Sequence, residues 1–172
     1  MGFVDDYLAY LLARASHLVS RGFHAQLAAR GVPVGEWRVL ATLAGGRPLT
    51  VGELAARVLM KQPTVTKLVI RLEARGLVRR TPVTGDRRKV HVRITGAGER
   101  EVAPLIAAAR RHEAEVLEGL DATEVAALKR ALRHVIHRLA DGEGQGVPQR
   151  PGSGSSSSLS PNRHWKARRH QA

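Results

Sequence analysis

The stretch Thr81–Gly98, TPVTGDRRKVHVRITGAG, decides the reading of this chain. Loose alternation on either side of Gly85-Asp86 predicts two short strands, over 77–83 and 89–95, joined by a turn. Arg79 and Arg80 sit just before the quoted stretch, Arg87, Arg88 and Lys89 crowd its tip, and Arg93 lies on the return strand. A turn alone accounts for Gly85 and Asp86, since aspartate suits turn positions. It does not account for three adjacent cations, which suit an anionic partner. Asp86 then orients an arginine or holds the turn.

Immediately upstream, residues 50–75 read as two short helices around a tight turn. Thr50 and Glu53 form a T-x-x-E capping box opening a helix over 50–58. Leu59-Met60-Lys61 is the turn. The next helix starts near Gln62 with Pro63 in its first turn, where the missing N–H costs nothing, and ends at Gly76. Two helices followed by a basic hairpin make a winged helix-turn-helix, in which the second helix enters the DNA major groove.

At about 100° per residue, Val65, Leu68, Val69 and Leu72 share one face of that second helix, the buried one. Thr66, Lys67, Ile70 and Arg71 lie opposite or on its flanks, with no carboxylate at the centre and Glu73 to one side. Lys67 and Arg71 are donors for guanine or phosphate. Thr64 and Thr66 stand near the helix N-terminus, where free backbone donors also favour an anion. Ile70 is either a contact for a thymine methyl or an isolated exposed isoleucine. The wing residues Arg87, Arg88 and Lys89 are sized for a narrow minor groove or its flanking phosphates.

Helices flank this lobe on both sides. Leu8, Leu11, Leu12, Ala15, Leu18, Val19 and Phe23 form one stripe over 6–29, closed by Gly31 and Pro33. A short helix over 35–44 carries Trp37, Leu40 and Leu43, and Gly45-Gly46 ends it. A fifth helix opens near Gly96–Glu99, with Val102, Leu105, Ile106, Ala109, Val116, Leu117 and Leu120 as its stripe. A sixth begins at Asp121, with Val125, Leu128, Leu132, Val135, Ile136 and Leu139. These long helices are more than a small winged lobe needs. Their spare apolar faces either pair two chains or pack on their own domain, and pairing is the favoured reading. The expected organisation is a mainly α domain over 1–140 with a small β-wing: a DNA-binding lobe at 34–95, and dimerisation helices at 1–33 and 96–140.

Residues 141–172 hold five Gly, three Pro and six Ser and almost no apolar period, which reads as a disordered basic tail. The tail is either inert or an arm that adds phosphate contacts. Its five cations against two carboxylates give +3, so +10 of the chain's +13 belongs to residues 1–140. Such an excess favours nucleic acid or an anionic surface as partner. Cysteine is absent, which excludes disulfides and thiolate metal sites. No apolar run approaches the roughly 20 residues of a membrane span. MGFVDDYLAY lacks the basic start and apolar core of a signal peptide, so a cytoplasmic protein without a membrane partner is expected.

The wing residues carry a family resemblance. Asp86 and Arg88, followed by Ile94, Thr95 and Gly98, match the D-x-R and L-T-x-x-G wing signature of the MarR family of transcription factors, with Ile94 for Leu. Residues 68–80, LVIRLEARGLVRR, resemble that family's recognition helix running into its wing. The resemblance spans about 6–140. It implies a homodimer reading a palindromic operator in double-stranded DNA. It also implies a repressor, often released by a small aromatic acid or phenol bound between the dimer helices and the winged lobe. Arg14, His17, Trp37 and Arg38 are then candidates for pairing a carboxylate or stacking on a ring; plain core for Trp37 and a surface charge for Arg14 stay open.

Other classes fit less well. His134 and His137, three apart on one helix, are a possible zinc pair but lack further ligands at suitable spacing. No nucleophile elbow, phosphate loop, HExxH or dinucleotide glycine pattern is present, so neither catalysis nor a cofactor is expected. Two Phe, two Tyr and two Trp leave few stacking platforms for single strands. The alternative in keeping with the charge is a non-specific architectural DNA-binding protein, which would lack an operator preference of about 10³-fold.

Overall fold

The computed structural model describes residues 2–83 and 86–143, with Val83, 86–89 and 141–143 described by backbone alone. In chain order the elements are α1 (Phe3–Asp6), α2 (Leu8–Ala29), α3 (Val34–Leu43), β1 (Leu49–Thr50), α4 (Val51–Val58) and α5 (Gln62–Ala74). They continue with β2 (Val78–Val83), β3 (Asp86–Ile94), α6 (Gly96–Val116) and α7 (Ala122–Glu143). The fold is mainly α with one small antiparallel sheet of order β1-β3-β2.

The chain divides into two compact units, the first ending at Asp121. In the first, α3, α4, α5 and the sheet close around one core, which includes Leu40, Leu54, Val65, Leu72 and Val92. The apolar spacing of α5 works as expected: Val65, Leu68, Val69 and Leu72 are all buried. A smaller cluster joins Phe23 and Leu27 of α2 to Leu105 and Ala108 of α6. The second unit contains α7, on which Leu128, Ile136 and Leu139 are exposed.

The elements differ from those expected in four places. The first helix is broken, because Tyr7 takes an extended conformation between α1 and α2, its ring stacked on Phe3 at 5.2 Å. Along α2 only Phe23 and Leu27 are buried, and Leu8, Leu11, Leu12, Leu18 and Val19 face outward. α6 stops at Val116, so Leu117 and Leu120 belong to the connection that turns at Gly119, φ +92°. Finally, β3 starts at Asp86 rather than 89, because the ladder continues to a Val83–Asp86 pair past an irregularity at Pro82/Val83. Thr84 and Gly85, the side chains of 86–89 and the tail beyond Glu143 lie outside the described residues. α7 itself runs to Glu143, three residues past the expected boundary at 140.

β1 is a third strand that the sequence pattern did not announce. Leu49 pairs with Val92 and Thr50 with His91 on β3. It anchors the base of the wing beside the start of α4.

Candidate nucleic-acid interface

The scaffold of the interface is fixed by local chemistry. The Thr50 backbone N–H donates to Glu53 Oε2 at 2.7 Å, and the Glu53 N–H donates back to Thr50 Oγ1 at 3.2 Å. Arg47 Nη2 donates to Glu53 Oε1 at 2.9 Å. The Thr50 amide first, then Arg47 and the Thr50 hydroxyl, hold the Glu53 carboxyl down at about 2. After α4 the chain turns through Leu59 at φ 55°, ψ 47°, a left-handed conformation that is uncommon for leucine. Its side chain is left outside the core, 85% exposed.

α5 then presents Thr64, Lys67, Ile70 and Arg71 to solvent, while its apolar face seals the core. Thr66 is half-buried, and its hydroxyl donates to the Gln62 carbonyl at 2.9 Å. It reaches a phosphate as a donor only by giving up that bond. Glu73 is drawn aside by the wing: the Arg80 N–H donates to Oε1 at 2.8 Å and Arg80 Nε to Oε2 at 2.5 Å. Those bonds hold the Glu73 carboxyl below its usual range. The exposed centre of α5 is therefore free of carboxylates.

Glu36 was missed in the sequence. It lies on the buried face of α3, 5% exposed, and its carboxylate meets Arg71 of α5 and Arg75 at the C-cap of that helix. Arg75 Nη1 donates to Oε2 at 2.5 Å, and Arg71 Nε stands 3.8 Å from Oε1. Arg71 is thus partly engaged within the lobe, whereas Lys67 makes no ion pair among the described residues. A signal existed: Glu36, Leu40 and Leu43 share one helical face, so a carboxylate there needs a buried cation.

The wing backbone brings Asp86, Arg87, Arg88 and Lys89 onto β3, at the end remote from α6. Their side chains lie outside the described residues.

Of the four pocket candidates, two come together. Trp37 and Arg38 line a cavity of about 370 Å³ between α3 and α4, with Arg57 and Leu59 on its far wall. Arg14 and His17 are exposed on α2 and do not line it. Trp37 also packs edge-on against Phe23, ring centroids 5.1 Å apart, so it serves the core as well as the cavity. Among the described residues no group of His, Asp and Glu is arranged to hold a metal, and His134 and His137 are both exposed. Nor is any described helix long and apolar enough to cross a membrane.

A capped helix, a tight turn, a second helix with a polar cationic outer face and an antiparallel wing define a winged helix-turn-helix protein. The MarR family profile matches residues 30–89. The HTH-type transcriptional repressor IacR of Pseudomonas putida is 30% identical over 78% of this chain and 81% of its own. A MarR family transcriptional regulator from Silicibacter pomeroyi superposes with a TM-score of 0.69, at 40% identity, over 81% of this chain and 99% of that one. NadR, solved in complex with 4-hydroxyphenylacetate, superposes with a TM-score of 0.66 at 25% identity, over 72% and 88% of the two chains. The chain belongs to the MarR family and is a DNA-binding transcriptional regulator.

Proposed function

We propose that this protein is a homodimeric repressor in the cytoplasm whose two winged lobes read a palindromic operator, and that it has no catalytic activity. The observation that carries this reading is the outer face of α5: Thr64, Lys67, Ile70 and Arg71 exposed on a helix whose opposite face is locked in the core. Thr66, Lys67 and Arg71 read the major groove, Thr64 contacts the backbone near the helix start, and Ile70 meets a thymine methyl. Arg87, Arg88 and Lys89 anchor the wing in the minor groove or on its phosphates, with Asp86 setting their geometry. The exposed apolar side chains of α2, among them Leu8, Leu11 and Leu18, supply the pairing surface.

Release is by a small aromatic acid. The cavity holding Trp37, Arg38 and Arg57 offers an aromatic face and two guanidiniums to such a ligand, and NadR binds 4-hydroxyphenylacetate. A ligand shifts the two lobes only in so far as it prefers the non-binding spacing. The test is operator binding in the presence of 4-hydroxyphenylacetate and related acids. The reading expects weaker binding with the wild type and a lost response in Arg57→Ala. Unchanged operator affinity with every acid tried would remove the effector from the account.

A further inference from the structure

The outer face of the wing sheet carries a second cationic feature, apart from the outer face of α5 and from the wing tip. Strand alternation sends Val78 and Val92 into the core and places Arg79, Thr81, His91 and Arg93 on the opposite face. Arg79 stands directly across from Arg93, and Thr81 across from His91. Like charges directly opposite destabilise a strand pair. Among the described residues neither arginine has a hydrogen-bonded or ionic partner for its side chain.

These four residues line a cavity of about 550 Å³, which Thr95 and Gly96 close at the first turn of α6; among the described residues no Asp or Glu lines it. A third guanidinium stands beside it, with Arg100 Nη1 3.6 Å from where a Cβ on Gly96 would lie. The cavity faces away from the recognition helix. Arg80, paired with Val92 on the inner face, is the residue that reaches α5 through Glu73.

We propose that this cavity binds a small phosphate-bearing anion, at a site separate from the DNA surface. A carboxylate has two oxygens in one plane, a shape that a single guanidinium fork matches. Here the donors come from both strands and from the start of α6, a distribution that a tetrahedral dianion fills more completely. Bound there, phosphate relieves the Arg79–Arg93 repulsion and stiffens the base of the wing.

The test is calorimetric titration of the full chain with inorganic phosphate, against chloride at equal ionic strength. The proposal expects one phosphate per chain, and binding about tenfold weaker in each of Arg79→Gln and Arg93→Gln. Both side chains are exposed, and a thermal midpoint no lower than that of the wild type confirms that each variant is folded. Phosphate binding that both variants leave intact, or no binding beyond that of chloride, would overturn the site. A second arm measures the salt slope of duplex binding in Arg93→Gln. An unchanged slope is expected; a slope shallower by about 1 would make the DNA backbone the occupant and overturn a separate small-anion site.

Discussion

Arg75, at the C-cap of α5, donates to Glu36 on α3 and to Glu101 on α6, both at 2.5 Å. One guanidinium thus ties the end of the recognition helix to the two helices behind it. Glu36 is the residue before Trp37, which lines the α3–α4 cavity. A ligand that displaces α3 therefore displaces the carboxylate that anchors α5.

Glu36→Gln keeps the shape of the side chain and removes its charge. Arg75 keeps Glu101 and is itself 45% exposed, which limits the loss. The expected cost is about 1–2 kcal/mol, or a thermal midpoint lower by about 3–6 °C. The variant should also blunt any response of operator affinity to an aromatic acid. A midpoint unchanged from the wild type would show that the anchor contributes nothing to stability.

Gly98 closes the wing signature for a steric reason. A Cβ there would lie 2.2 Å from the Leu77 carbonyl oxygen and 2.7 Å from a side-chain carbon of Ile94. The carbonyl belongs to backbone that also accepts from the Thr95 N–H at 3.0 Å, so it cannot move away freely. Gly98→Ala should cost about 2–3 kcal/mol in chemical denaturation, as overpacked cores do. A wild-type denaturation midpoint would contradict the close approach.

Glu53 gives the lobe an acid-sensitive joint. Its folded pKa of about 2 lies below the ordinary 4.5, so its contribution to stability is complete above about 4.5 and is lost as pH falls towards 2. The midpoint difference between wild type and Glu53→Gln should therefore be flat above about pH 5 and shrink steadily below it. A difference that stays constant down to pH 2 would contradict the capping geometry.

The helix and the wing should fail differently. Arg88→Ala should weaken binding to all duplexes alike and reduce the salt slope by about 1. Lys67→Ala should instead relax preference at particular base pairs, by about 1–3 kcal/mol. Arg71→Ala should do the same less cleanly, because Arg71 also stands 3.8 Å from Glu36. Panels of duplexes with single base-pair changes, titrated by fluorescence anisotropy, separate these effects. A Lys67→Ala variant that loses affinity uniformly would place Lys67 on phosphate.

The parts of this fold that were legible in the sequence are those set by neighbours along the chain. The Thr50–Glu53 box spans three residues, and the buried face of α5 repeats every three or four. What escaped depended on distant partners. Glu36 meets Arg75 across 39 residues, and while its place on the Leu40–Leu43 face marked it for the core, nothing local named the cation that would meet it. β1 is two residues long, too short to alternate, and exists because Val92 and His91 are there to pair with it. The first residues of β3 looked like a turn because Gly85-Asp86 is turn chemistry, yet the ladder reaches Asp86. Of the site, the cationic face of α5 was legible from its period. The pairing of Trp37 with Arg57 across a cavity was not, since they stand on different helices.

The most direct measurement is an anisotropy titration of the full chain, at about 0.15 M salt, with the duplex from upstream of its own gene and with a scrambled duplex. Sequence-specific repression predicts a preference for the upstream duplex of about 10³-fold or more, reduced by Lys67→Ala. Equal affinity for both duplexes, and for a genome-wide selection of candidate sites, would contradict it and leave a non-specific architectural protein.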